Sequence, residues 1–282
     1  MAVGEAHGGL PVPSGAGEAI RAWRARRRVS QLDLALRTGV STKHISFIET
    51  GRSTPTRDMI TRLAEQLDIP LRDRNKLLLL NGYAPAYPER DLDDPELESV
   101  RGALHQVLRG HEPYPAALVD RVWNLVDANE SLALFTVDVS AELLEGPVNV
   151  LRLSLHPDGM APRIDNLPEW RAHVLDRLRR QIDATDDPEL RDLHSELRTY
   201  PCVTSGHDMS AMDRRSIAVP LRYRSERGRL TFVSTTAVFG TPLDVTVSEL
   251  AVEAFFPADA ATMRALAGGV TGAGEPAFGD PV

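Results

Sequence analysis

The chain has a single cysteine, Cys202, in 282 residues, which excludes an intramolecular disulfide and a cysteine-cluster zinc site. Its eight histidines are scattered without an H-x-x-x-H pair, and neither G-x-S-x-G nor G-x-x-x-x-G-K occurs. Helix-borne metal hydrolysis, a serine nucleophile elbow and a phosphate-cradling loop are therefore all without support. Cys202 has no base beside it and reads as an inert, partly buried thiol rather than a redox sensor. His156, Pro157 and Asp158 set a histidine near an aspartate, with no further member of a catalytic set around them. No membrane span is visible, and the N-terminal MAVGEAHGGLPVPSGAG lacks the basic and apolar blocks of a secretion signal. A cytoplasmic protein that is not an enzyme, with no metal and no cofactor, is the expectation. Lysine is nearly absent, 2 against 30 arginines, and because this bias holds throughout the chain it is no sign of DNA binding.

What is present suits two domains with real cores: 42% of residues are hydrophobic and 26% charged. Charge is unevenly divided. The first ninety residues hold 14 Lys and Arg against 9 Asp and Glu, a net of +5, while the remaining 192 carry −13. Such a split suits a DNA-facing head on an acidic body that DNA repels. The head announces itself at Gln31 to Gly51, QLDLALRTGVSTKHISFIETG, as two short helices around a turn at Thr38, Gly39 and Val40. Ser30 and Ser41 stand at N-cap positions, and Gly39 and Gly51 suit the left-handed backbone that ends a helix. Leu34, Ala35, Val40, Ile45 and Ile48 can meet in one core, leaving Thr42, Lys43, His44 and Phe47 outward as candidate readers of DNA.

These residues resemble the helix-turn-helix of the XRE, or phage-repressor, family of five-helix DNA-binding domains, over about residues 17 to 82. The resemblance implies that Gln31 clamps a phosphate at a helix N-terminus and that Thr42, Lys43 and Phe47 face base edges. Phe47 departs from the glutamine common in the family and favours a thymine methyl over an adenine edge. Arg24 and Glu49 match a buried ion pair tying the first helix to the recognition helix. Arg52 is a candidate phosphate contact. The RARRR run, Arg24 to Arg28, is read either as phosphate contact from Arg26 to Arg28 or as a solvated face.

Further on, Thr56 caps a fourth helix with a stripe at Met59, Ile60, Leu63, Ala64 and Leu67, and Leu71 to Leu80 forms a fifth. A proline-rich acidic stretch, 83–95, reads as the linker between a helix-turn-helix domain at 17–82 and a second domain at 96–265, with flexible tails at 1–16 and 266–282. In the second domain, spacing predicts a helix over Leu97 to Leu108, a hairpin over Ala116 to Val126, and helices at Asp127 to Phe135, Asn149 to His156, Pro168 to Ala184 and Pro188 to Tyr200. Strands are expected at Ser216 to Tyr223, Arg229 to Phe239 and a segment ending at Phe256. This is an α+β, PAS-like layout.

The LLLLNGYAP junction at Leu77 to Pro85, the PAALVDRVWNLVDAN hairpin, PVNVLRLSLHP at Pro147 to Pro157 and EWRAHVLDRLRRQ at Glu169 to Gln181 are similar to the MmyB-like branch of XRE regulators. That resemblance implies a C-terminal domain that binds fatty-acid-type molecules in an apolar cavity with one or two head-group donors. Asn149, Arg152 and His156 share a helix face and are candidates for the head group; Arg152 could equally sit in a structural ion pair and His156 cap the helix. Trp123, Phe135, Trp170, Phe232 and Phe239 are candidates for the lining or for ordinary core. The expected function is a homodimeric regulator that binds an inverted-repeat operator on double-stranded DNA and senses a small hydrophobic ligand. The alternative is a repressor whose second domain only dimerises or binds a protein partner.

Overall fold

The structure, a computed structural model, describes residues 15–202 and 219–268. Five helices open it: α1 Ala16–Arg26, α2 Gln31–Thr38, α3 Thr42–Glu49, α4 Arg57–Gln66 and α5 Leu71–Leu80. Their ends are set locally. Ser30 accepts from the Asp33 N–H and Asp33 reaches back to the Ser30 N–H, a reciprocal box that satisfies two orphan donors of α2. Ser41 and Thr56 cap α3 and α4 in the same single-acceptor way. Gly39 ends α2 at φ 70°, where a side chain would be strained. Leu34, Ala35, Ile45, Ile48, Ile60, Leu63 and Leu67 fill the core, each no more than 2% exposed. α1 closes over α3 so tightly that a Cβ on Gly17 would lie 2.1 Å from the Ile48 carbonyl oxygen.

Arg24 donates from Nε to Glu49 Oε1 (2.5 Å) and from Nη2 to Oε2 (3.0 Å), while Nη1 donates to the Val29 carbonyl (2.9 Å). From the RARRR run, Arg27 donates to the Leu67 and Asp68 carbonyls, so it staples α1 to the C-terminus of α4 instead of facing outward.

The second part is α+β and PAS-like. Its elements are α6 Glu98–Gly110, β1 Ala116–Val119, β2 Leu125–Ala128, α7 Val150–Leu155, α8 Leu167–Thr185, α9 Pro188–Thr199, β3 Leu221–Ser225, β4 Gly228–Val238, β5 Ala251–Pro257 and α11 Ala260–Ala267, and between β4 and β5 the chain forms the short helix α10 Val245–Ser248, which belongs with the first five helices. One antiparallel sheet has the order β2-β1-β5-β4-β3. Because side chains alternate across a strand, β1 serves two cores: Ala116 and Leu118 meet Leu104 and Leu108 of α6, and Ala117 and Val119 meet the block of α7, α8 and α9.

Several expectations shift. The helix expected over Asp127 to Phe135 yields its first residues to β2, and a short 3-10 turn, Glu130–Phe135, follows. Asn129 decides this: its Oδ1 accepts from the Ala116 N–H (2.9 Å) and its Nδ2 donates to the Tyr114 carbonyl (2.7 Å), pinning the strand end. The strand expected from Ser216 begins at Leu221, with 216–218 outside the described residues. α11, capped by Asp259, buries Leu266, so helix continues where a tail from 266 was expected. Part of the expected linker is folded onto α5, where Asn75 Oδ1 accepts from the Ala86 and Tyr87 N–H groups.

The chain divides into two compact units: Met1–Arg90 with Pro242–Ser248, and Asp91–Thr241 with Glu249–Val282. Within the first, the Val245 N–H donates to the Pro88 carbonyl (2.8 Å), Thr246 Oγ1 donates to the Arg90 carbonyl (2.5 Å), and Arg90 Nη1 lies 3.1 Å from Asp244 Oδ2.

Candidate functional site

In the head, α3 turns Ile45 and Ile48 inward, each 1% exposed, and carries Lys43 exposed, with Thr42, His44 and Phe47 half-buried. Ser41 Oγ accepts from the His44 N–H (3.1 Å), so the first turn of the helix starts at the surface with its positive dipole end outward. Phe47 is flanked by cations: Lys43 Nζ lies 5.5 Å from its ring centroid and the Arg52 guanidinium 6.0 Å. An apolar ring between two cations is an apolar contact surface set in a positively charged patch. Gln31 is partly engaged already, since its Nε2 donates to Glu49 Oε2 (2.7 Å). Its side chain therefore completes the Arg24–Glu49 network, and a phosphate there would share it.

In the second unit, an apolar cavity of about 140 Å³ lies between the sheet and the helices. Leu132, Phe135, Leu151, Leu153, Trp170 and Phe255 supply much of its wall. The helices turn towards it for simple reasons. On α8, Trp170, Val174 and Arg177 recur at the three- and four-residue spacing of one helix face, and on β5, Glu253 and Phe255 share one face of the strand. Trp170 is held by its Nε1 donating to Ser154 Oγ (2.8 Å).

Thr136, Ser154, Arg177 and Glu253 are the polar residues of the lining. Arg177 Nη1 lies 2.8 Å from Glu253 Oε1 and 3.0 Å from Oε2, and Thr236 Oγ1 donates to Oε2 (2.7 Å). Arg177 also lies over the Trp123 ring, 4.3 Å from its centroid. Trp123 adopts φ 70°, an outlier for so large a side chain. Its Nε1 donates to Gln181 Oε1 (2.8 Å), whose Nε2 donates to the Arg121 carbonyl (2.9 Å), so α8 fixes the ring from behind.

Of the eight residues expected to meet a ligand, Phe135 and Trp170 line this cavity. Trp123 backs it from beneath Arg177, Phe232 is fully buried in the core, and Phe239 is 36% exposed at the surface. The head-group trio points elsewhere. Asn149 caps α7, accepting from Leu151 and Arg152. Arg152 forms a bidentate pair with Glu196, 2.8 Å at both contacts. His156 accepts at Nδ1 from the Asp158 N–H (3.1 Å) and packs edge-on against Tyr200. Arg152 holds the Glu196 carboxyl below its usual range, and burial followed by the Glu196 hydrogen bond pushes the Tyr200 phenol up. The reason for the miss is geometric: four-residue spacing puts Arg152 and His156 on one face, but that face meets α9. Arg177 and Glu253 carried the available signal, a glutamate in an inward register of an otherwise apolar strand.

Among the described residues, no cluster of His, Cys, Asp and Glu could hold a metal, and no helix is long and apolar enough to cross a membrane. A helix-turn-helix in one unit and an apolar cavity in the other are the parts of a DNA-binding transcription regulator with a ligand-binding domain. The family model of the MmyB-like transcription regulator ligand binding domain matches residues 100–268, and a helix-turn-helix model matches residues 20–73. The chain belongs to the MmyB-like family. A search of curated proteins found no match. Among solved structures, an RNA-binding light-oxygen-voltage receptor is similar at 11% identity and a TM-score of 0.27, over 91% of this chain. The match spans 62% of that receptor's length.

Proposed function

We propose that the protein is a cytoplasmic, homodimeric transcription regulator that binds an inverted-repeat operator and whose cavity holds a small hydrophobic ligand of the acyl-chain type. In this reading Thr42, Lys43, His44 and Phe47 face the major groove, and Gln31 and Arg52 face phosphates. Two symmetric heads require two symmetric half-sites, about 34 Å or a multiple of it apart. Ligand binding acts by favouring one arrangement of the heads, and it can do so only through its differential affinity for the two states.

The observation that carries the sensing half is the cavity: its wall is almost entirely hydrocarbon, which is what a chain needs and what a purely dimerising domain does not. The Lys43–Phe47–Arg52 cluster supports the DNA half. The test is a selection from random-sequence DNA with the full-length protein, before and after lipid extraction, followed by a salt titration on the enriched sequence. Enrichment of an inverted repeat, with affinity that changes on extraction, is the expected result. Sequence-blind binding in both preparations overturns the operator reading, and an affinity indifferent to extraction overturns the sensing reading.

A further inference from the structure

Resting on the ligand-sensing reading above, we infer that Pro242–Ser248 is a strap that carries the state of the cavity wall to the helix-turn-helix unit, so that an occupied cavity stiffens the head. The strap is fastened at both ends. On the head side, α10 lies against α5, and Val245 is fully buried. The Val245 N–H donates to the Pro88 carbonyl (2.8 Å), Thr246 Oγ1 donates to the Arg90 carbonyl (2.5 Å), and Arg90 Nη1 donates to Asp244 Oδ2 (3.1 Å). These bonds grip residues 88–90, the last before the chain leaves the first unit at Asp91.

On the other side there is no slack. Ser248, the last residue of α10, is followed at once by Glu249 and Leu250, which belong to the second unit. Glu249 Oε2 lies 3.9 Å from Arg121 Nε, and Leu250, 3% exposed, packs in the cluster that holds Leu104 and Leu108 of α6. β5 begins at Ala251, and its Glu253 and Phe255 border the cavity. It is also the middle strand of the sheet, bonded to β1 and β4 on its two sides. The path from Ser248 to Glu253 therefore contains no loop in which a stiffening of the wall could be lost. A flexible coil between two domains transmits little besides proximity. Elements that share a fastening open together, so a ligand that makes β5 harder to open makes α10 and α5 harder to open with it.

The test is hydrogen exchange, read by mass spectrometry, on lipid-extracted full-length protein with and without an excess of dodecanoic acid. Exchange in β5 is expected to slow by about tenfold, as for a ligand present at about ten times its Kd. Exchange at residues 88–90, in α5 and in α10 is expected to slow by about fivefold, the low end of coupling between two sites. The double variant Asp244→Asn, Thr246→Val unfastens the strap from Arg90 without touching the cavity or the recognition helix. In it β5 is expected to keep its protection while residues 88–90 and α5 lose theirs. Protection of β5 alone in the native protein overturns the inference and leaves the sensing reading intact, as does head protection that the variant keeps in full. No protection of β5 by the acid overturns the sensing reading and this inference together. Thr246→Val alone, a change of nearly constant volume, makes the same comparison where the double variant fails to fold.

Discussion

The molecule contains two Arg–Glu pairs of nearly equal burial, with side chains 15% and 1% exposed for Arg24–Glu49 and 20% and 5% exposed for Arg177–Glu253. They are built differently. In the head, the guanidinium uses Nε, Nη1 and Nη2, and Gln31 adds a further donor to Glu49. In the second domain, the bonds of Arg177 run through Nη1, while Nε has no hydrogen-bond partner among the described residues. A fork with its donors filled is a strut. A fork that donates from a single nitrogen is held by fewer bonds, and satisfaction rather than burial tells the two apart.

Removing the carboxylate should separate them most sharply. Glu49→Ala is expected to cost about 4 kcal/mol, because it strands a buried guanidinium between α1 and α3. Urea unfolding should show the loss, with operator binding falling in step. Glu253→Gln should cost about 2 kcal/mol, because the amide oxygen can still accept a hydrogen bond while the Arg177 guanidinium loses its counter-charge, and losses of equal size would erase the distinction. Gly17→Ala strikes the same strut through packing. With a Cβ 2.1 Å from the Ile48 oxygen, α1 must lift from α3, at about 2 kcal/mol; an unchanged denaturation midpoint would show that this contact is not tight in solution.

On the DNA face, Lys43→Ala is expected to weaken the selected operator by about 1 kcal/mol with folding intact. Arg52→Ala should weaken all sequences alike and lower the salt slope by about 1. A loss in Arg52→Ala confined to the operator would reassign it from phosphate to base. The smallest effect concerns pH. Burial first, then neighbouring arginines, hold His173 and His194 below their ordinary range. As pH falls below about 6.5, the unfolded chain therefore takes up protons that the folded sensor resists, and stability declines. Melting temperature should drop between about pH 7.5 and pH 5.5, less so in His173→Gln.

The head was legible because its rules are local. Ser30, Ser41 and Thr56 set helix starts by bonds within three residues, Gly39 sets an end, and the helix written as Leu71 to Leu80 is the one observed. The hairpin strands and the helices α7, α8 and α9 could be read from periodicity for the same reason. The cavity's polar pair could not, because it joins residues 76 positions apart across two elements, and only their packing brings them together. Arg152 and His156 show the converse error, correct spacing on a face whose partner, Glu196, lies on another helix. No helix was expected at α10 or α11, because four and eight residues are too few to show a clear helical period.

The seven residues Pro242–Ser248, which lie between β4 and β5 in the chain yet belong to the head, bear on how such a protein can be inherited and re-engineered. A head made of one continuous stretch could be exchanged among regulators by a single crossover. Here a crossover after Arg90 would leave Asp244 behind with the old sensor and deprive Arg90 of that partner. Head and sensor are interleaved, so recombination moves them intact only as one cassette, and a working chimera must carry Pro242–Ser248 along with the first ninety residues.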